Sequence, residues 1–138
     1  SAAIFDGGGS IMRKTVVTDK APAAVGAYSQ GTYAGDFLYL SGQIALDPAT
    51  GKMVGDGDPA AETHQVMKNI QGVLSSQGLS FDHVVKAVIY AASMKDFPEI
   101  NKVYASYFSG SFPARCFVEV SGMALNAKVE IDIVAYKG

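Results

Sequence analysis

The order in which two hydrophobic patterns follow one another along the chain most constrains its fold. In one pattern apolar and polar residues alternate, as in a half-buried strand. In the other, apolar residues recur at every third or fourth position, as in a helix that faces a core. From the N-terminus, the patterns predict strands, a helix, a strand, a helix and two final strands. This order predicts an α+β two-layer sandwich with one mixed sheet, both helices on one face and a hairpin at each end.

Both predicted helices carry start and stop signals. Asp58 is placed to cap the first helix, Pro59 fits its first turn and Gly78 is placed to end it. Asp96 is placed to cap the second helix, and Gly110 to stop it. Five apolar residues form one stripe along the first helix, which we expect to pack on the sheet: Val66, Met67, Ile70, Val73 and Leu74.

Two helices on one face leave the other face of the sheet without a covering layer. Four large aromatic residues are candidates for that face: Phe37, Tyr39, Phe117 and Tyr136. A continuous surface of this kind is too apolar to face water. We therefore expect this face to be buried against identical copies of the chain, which would place the functional site near a subunit boundary.

Composition and charge exclude several classes of protein. The chain has 138 residues, 49% of them hydrophobic and 17% charged, which predicts one well-buried globular domain. A net charge of −2 without a basic run argues against nucleic-acid binding. The single cysteine suggests a reducing compartment. With no apolar run of about 20 residues and no signal-peptide pattern, we expect no membrane association and a cytoplasmic location, with a mitochondrial one left open.

The first eleven residues look foreign to the domain. Residues 1–6 are short and unpatterned, residues 7–10 resemble a flexible Gly-Ser linker, and Met12 could be the natural start. The three glycines lack the Gly-Lys-Ser/Thr that a phosphate loop requires. We therefore predict a leader and linker over 1–11 and a single domain over 12–138.

One arginine and one glutamate near the C-terminus are the main candidates for chemistry. Arg115 follows Pro113 at the predicted start of a strand, and its planar fork of donors matches a carboxylate. Glu130 interrupts an alternating apolar run in the next strand. An arginine that holds a small acid and a glutamate that handles a water would make a compact hydrolytic site. A structural salt bridge from Arg115 to Glu119 or Glu130 is the competing interpretation.

Other reactive side chains have simpler explanations. His64 and His83 lack partners at metal-ligand spacing, so we expect solvated or capping roles. Ser41 supports no Ser-His-Asp arrangement. Cys116 alternates away from Arg115 along the strand, which favours a buried structural thiol over a nucleophile.

Five segments, in order along 12–138, resemble the Rid family, also called the YjgF family. The likeness is greatest to its RidA subgroup, the 2-iminobutanoate/2-iminopropanoate deaminases. Each segment alone is a weak signal, but five in register are specific. The segments are residues 21–31, residues 41–44, Phe97 with Asn101 and Tyr104, residues 113–115 and residues 129–131.

This resemblance implies a chorismate-mutase-like mixed sheet of about six strands with two helices on one face. It also implies a homotrimer with sites between subunits. The implied reaction is hydrolysis of enamines and imines released by pyridoxal-phosphate dehydratases, giving 2-oxo acids and ammonia without a metal or organic cofactor. By position, Arg115 would hold the substrate carboxylate and Glu130 the water. The residues that would line or border the pocket are Tyr28, Ser41, Gly42, Asn101 and Phe117.

The sequence departs from the usual RidA pattern at several positions. Phe117 stands where many members carry a cysteine, a change that touches the implied pocket, and Met123-Ala124 replaces a common Leu-Pro. Two other functions stay open beside the deaminase. One is an RNA-directed role as a translation inhibitor or endoribonuclease, against which the acidic balance argues. The other is a non-catalytic protein that binds small ligands or acts as a chaperone.

Overall fold

The computed structural model describes residues 2–5 and 13–138. In these residues seven strands form one mixed sheet, and two α-helices pack on it. The strands are β1 (Ala2–Phe5), β2 (Lys14–Thr18), β3 (Gly31–Ala34), β4 (Phe37–Leu40), β5 (Val84–Ala91), β6 (Ala114–Glu119) and β7 (Val129–Tyr136). The helices are α1 (Pro59–Ser76) and α2 (Phe97–Ala105).

The strands lie in the order β1-β2-β3-β4-β7-β5-β6. All pairs are antiparallel except β5 and β6, which are parallel and joined through α2. The predicted mixed sheet of about six strands with two helices is confirmed, since β2 to β7 lie within 13–138. The predicted hairpin between the last two strands is wrong, because β5 lies between β6 and β7. A parallel crossover through a helix carries β6 to the outer edge of the sheet.

The N-terminal segment contributes the other edge strand. Ala2–Phe5 pairs antiparallel with β2. The sequence had not predicted a strand there, because residues 1–6 carry no hydrophobic pattern. The Gly-Ser stretch at 7–10 and the start at Met12 lie outside the described residues. The division into 1–11 and 12–138 stays a prediction.

Helix α1 follows its sequence signals closely. The Asp58 carboxylate accepts the Ala61 backbone N–H at 3.1 Å, and the predicted apolar stripe is buried against the sheet. Burying a side chain of this size stabilises a fold by roughly 1.5–3 kcal/mol. Helix α2 is shorter than predicted and ends at Ala105, and Asp96 precedes it without a side-chain capping bond.

The face of the sheet opposite the helices is apolar and exposed in the single chain. Phe37 and Tyr136 stack with ring centroids 5.0 Å apart, and Tyr39 lies beside them at 47% exposure. Phe117 was predicted on this face, but it lies on the helix side and packs against Phe97 at 4.7 Å. Cys116, predicted buried, is exposed because it lies on the edge strand β6.

Candidate active site

Two cavities hold five of the seven sequence-predicted site residues, and they lie on different parts of the sheet. Glu130 lies in one cavity of about 240 Å³ together with Tyr28 and Gly42. Arg115 lies in another of about 360 Å³ together with Asn101. Ser41 and Phe117 line neither cavity.

Backbone pairing beyond the regular strands brings Gly42 against Glu130. After β4 ends, Gln43 and Ile131 exchange two backbone hydrogen bonds at 2.9 and 3.1 Å. Because this bridge is antiparallel, Gly42 lies opposite Asp132 and Ile44 lies opposite Glu130, and the Glu130 side chain reaches diagonally across to Gly42. A Cβ atom at Gly42 would overlap the Glu130 carboxylate, with Cδ at 2.9 Å and Cγ at 3.1 Å. Only glycine at this position leaves room for the Glu130 carboxylate where it lies.

The Glu130 carboxylate is half-buried and electrostatically destabilised. Burial raises its pKa above the ordinary value, and the negative charge of Asp132 two residues on raises it further. Within 13–138 no group donates a hydrogen bond to it. Asp132, in contrast, accepts the Tyr90 hydroxyl at 3.1 Å. A carboxylate whose pKa is raised and that lacks a protein partner is suited to exchange protons with a bound molecule.

A loop held by side-chain hydrogen bonds positions Tyr28 at the edge of this cavity. The buried Gln30 side chain accepts the Thr18 N–H at 2.7 Å and donates to three carbonyl oxygens of the loop, those of Thr18, Ala21 and Pro22. Ser41 donates its hydroxyl to the Ser29 carbonyl at 2.6 Å, so its side chain is engaged in holding the loop. Tyr28 is 51% exposed beside Glu130.

On the other side of the sheet, three aromatic rings surround the Arg115 side chain and orient it. The guanidinium carbon lies 5.3 Å from the ring centre of Tyr104, 5.5 Å from that of Phe117 and 5.8 Å from that of Phe97. One nitrogen donates to the Asn101 side-chain oxygen at 2.7 Å. The rings contact the guanidinium group, and Asn101 binds one of its nitrogens. The other N–H donors are free to bind an anion.

The predicted alternative, a structural salt bridge at Arg115, is not formed in the described chain. No carboxylate in 13–138 pairs with its guanidinium. Glu119 instead accepts the Met94 backbone N–H at 2.8 Å. Glu130 points to the opposite face, because Arg115 is in register with the buried Ala87 whereas Glu130 is in register with Tyr90.

The single chain therefore does not form the compact Arg115–Glu130 site that the sequence suggested. The two residues are separated by the width of β5 and by three positions of register. At usual strand spacing and rise, their Cα atoms are about 14 Å apart. Their side chains also leave opposite faces of the sheet. In this arrangement one chain does not bring both groups to the same small substrate.

The structure also reveals site contacts that sequence patterns did not single out. Asn69 holds one wall of the Glu130 cavity by donating to the Ile44 and Leu46 carbonyl oxygens at 3.2 and 2.8 Å. Leu125 lines the same cavity from a turn. The Tyr104 hydroxyl, beside Arg115, is buried without a hydrogen-bond partner in 13–138. The available signal was a polar residue in an apolar stripe, which Asn69 and Tyr104 both provide.

The part of the chain that the structure describes contains neither a cluster of metal-ligand side chains nor a membrane-spanning helix. No group of three or more His, Cys, Asp or Glu side chains there is arranged to hold a metal ion. No helix there is long and apolar enough to span a bilayer. His83 instead accepts the Ser80 N–H at 3.1 Å as a turn cap.

Known proteins resemble this chain over most of its length. The model of the Endoribonuclease L-PSP family matches residues 18–137. A RutC family protein of Pyrococcus horikoshii is 44% identical, covering 91% of this chain and 99% of that protein. A Mus musculus protein named 2-iminobutanoate/2-iminopropanoate deaminase is 41% identical, covering 94% of this chain and 95% of its own.

Solved structures agree with the sequence matches. The crystal structure of a Rid family protein, YyfA of Yersinia pestis, superposes with a TM-score of 0.87 at 41% identity. The match covers 90% of this chain and 98% of that one. The family resemblance inferred from the sequence is thereby confirmed: the chain belongs to the Endoribonuclease L-PSP family, which is the YjgF/Rid family.

Proposed function

We propose that this protein hydrolyses small 2-imino acids, such as 2-iminobutanoate and 2-iminopropanoate, to 2-oxo acids and ammonia. The name carried by the 41% identical mouse relative supports this activity. The observation that carries the proposal is the state of Arg115. Its guanidinium is oriented by Asn101 and three rings, it has no acidic partner in 13–138, and it opens on a cavity. This is the arrangement expected of a carboxylate receptor.

The proposed site lies between copies of the chain in a homotrimer. One copy supplies Arg115 from its edge strand, and the next supplies Glu130, Gly42 and Tyr28. The separation of Arg115 and Glu130 on opposite faces of one chain supports this division. The exposed aromatic face around Phe37 gives the copies a reason to associate, because its burial removes apolar surface from water.

The proposed chemistry adds water to a carbon–nitrogen double bond. Arg115 binds the substrate carboxylate and so fixes the imine carbon against a water beside Glu130. Glu130 accepts a proton from that water as its oxygen bonds to the carbon of the protonated imine and the C=N π pair moves to nitrogen. Glu130 then returns the proton to the nitrogen of the resulting carbinolamine. The C–N bond breaks and ammonia leaves, while the hydroxyl proton passes to Glu130 and on to the ammonia as the C=O bond forms. One imino acid and one water thus give one 2-oxo acid and one ammonia.

The remaining contacts have supporting roles in this proposal. Asn101 orients the guanidinium, and Phe117 covers one of its faces at the position where many relatives carry cysteine. Because the phenyl ring acts by packing, the carboxylate clamp does not require a thiol there. The raised pKa of Glu130 brings its proton affinity closer to that of a neutral-pH base.

The test is a coupled assay with threonine dehydratase, in which release of 2-oxobutanoate and ammonia is followed with and without this protein. Arg115→Ala is expected to lower the protein-dependent rate at least about 100-fold, because the charge-assisted hydrogen bonds to the substrate carboxylate are lost. Lys102→Ala, which removes an exposed cation from the last turn of α2, is the matched control and should retain full activity.

Full activity in the Arg115→Ala variant would overturn the proposal. Binding of 2-oxobutanoate without any turnover by the unmodified protein would favour a ligand-binding function instead. The family description names an endoribonuclease. A salt-dependent RNA-binding titration that gives tight, saturable binding would therefore support the RNA-directed alternative.

A further inference from the structure

A turn at one edge of the Glu130 cavity has features that folding alone does not explain. Residues Ala124–Asn126 form a single 3₁₀ turn in which Leu125 and Asn126 both have a φ of 55°. Asparagine tolerates this left-handed conformation, but for leucine it is strained. Leu125 is also 66% exposed, so it gains little from burial in the chain.

Leu125 completes the apolar wall of the cavity. Val25, Ile44 and Leu46 line the same 240 Å³ space, together with Glu130 and Tyr28. A molecule bound there meets both a carboxylate and aliphatic carbon.

A buried carboxylate on α1 anchors the turn from behind. Glu62 is 1% exposed, and one of its oxygens accepts the Lys128 backbone N–H at 2.9 Å. Gly55 packs closely on this side chain, since a Cβ there would lie 3.0 Å from its Cγ. The residues that follow the turn are therefore fixed just before β7 begins. This anchoring lets the turn keep a strained leucine in place.

We propose that Leu125 determines substrate specificity, and that the wall it completes receives the aliphatic side chain of the imino acid. The preferred substrates are then 2-imino acids with side chains of two to four carbons, rather than the one-carbon side chain of 2-iminopropanoate. This inference rests on the deaminase proposed above. Each further methylene that enters the wall should raise kcat/KM about 4-fold, until the cavity is full.

The test measures kcat/KM for a series of imino acids made in place by an amino-acid oxidase from alanine, 2-aminobutyrate, norvaline and leucine. For the unmodified protein, kcat/KM should rise along the series. Leu125→Ala is expected to lower the ratio of the leucine-derived to the alanine-derived value by about 10-fold, because three side-chain carbons of the wall are removed. Val85→Ala, an exposed valine on β5 that lines neither cavity, should leave the ratio unchanged.

The outcomes separate this inference from the function on which it rests. The inference is overturned if Leu125→Ala leaves the ratio of the leucine-derived to the alanine-derived kcat/KM unchanged. It is also overturned if kcat/KM falls equally for every substrate and sedimentation shows that the assembly dissociates. If the unmodified protein hydrolyses no imine at all, the proposed function fails. Calorimetric titration with the matching 2-oxo acids then tests the wall alone, and chain-length-dependent affinity that is lost in Leu125→Ala would support it. Affinity independent of chain length would refute it.

Discussion

Replacing Gly42 with alanine tests whether the position of the Glu130 carboxylate controls the reaction. An alanine Cβ would lie 2.9 Å from Cδ of Glu130, whereas an ordinary contact begins at 3.4 Å, and the nearer oxygen has to move further. The carboxylate is thus displaced by about 1 Å, a misplacement that can cost about 100-fold in rate. We expect kcat to fall by about that factor.

The fold should tolerate this substitution. Gly42 is exposed in the chain and its φ is not positive, so alanine introduces no backbone strain. Gly122→Ala is the matched control, because a Cβ at that exposed glycine meets nothing within 4 Å. Both variants should unfold within about 1 kcal/mol of the unmodified protein in urea titrations, as expected for compatible surface positions.

The assay is steady-state hydrolysis of 2-iminobutanoate, with the uncatalysed rate subtracted at each substrate concentration. The reasoning predicts a loss in Gly42→Ala and none in Gly122→Ala. If Gly42→Ala kept more than half of the original kcat, the carboxylate would not act from the position seen in the structure. The assignment of Glu130 to the reaction would then be refuted.

Two further predictions concern individual ionisable groups. Glu130 must be ionised to accept a proton, so kcat/KM should fall as the pH drops through its raised pKa. Asp132→Asn removes a negative charge that raises this pKa. The variant should therefore show the acid-side loss of kcat/KM at lower pH. An unmoved acid-side loss would exclude Glu130 as the titrating base. Because the buried Tyr104 hydroxyl has no partner in 13–138, Tyr104→Phe should raise the free energy of unfolding by about 1 kcal/mol. A loss of stability in urea titration would show that the hydroxyl has a partner in the assembled protein.

Local patterns in the sequence were sufficient to predict most of the fold. Asp58 and Pro59 set the start of α1, and the apolar stripe from Val66 onward identified its buried face, because capping and helical periodicity depend on neighbours in sequence. The alternation along β7 placed Glu130 on the uncovered face for the same reason.

The relation between Arg115 and Glu130 could not be predicted in this way. Their strands are consecutive in sequence, which suggested a hairpin, but the crossover through α2 inserts β5 between them. Strand order depends on long-range pairing, for which local alternation carries no signal. Phe117 and Cys116 were assigned to the wrong environments because the pairing of β6 with β5 places Phe117 beside the buried Ile89 and Cys116 beside Val88 on the opposite face.

The cavity wall was likewise beyond sequence patterns. The strained turn at Leu125 is held by Glu62, which is more than sixty positions earlier in the chain. No periodicity connects the two residues. The family resemblance supplied the roles proposed for Arg115 and Glu130, while the structure placed the two residues on opposite faces of the sheet.

The most direct test of the shared site is to co-assemble equal amounts of Arg115→Ala and Glu130→Gln subunits and to measure imine hydrolysis. Each variant alone should be nearly inactive. If the proposed site is shared between copies, about a quarter of the sites in mixed assemblies should regain activity, because each needs an intact Arg115 from one copy and an intact Glu130 from its neighbour, each present with a chance of about one half. Activity in the mixture no greater than the mean of the two separate variants would contradict a site built from two subunits.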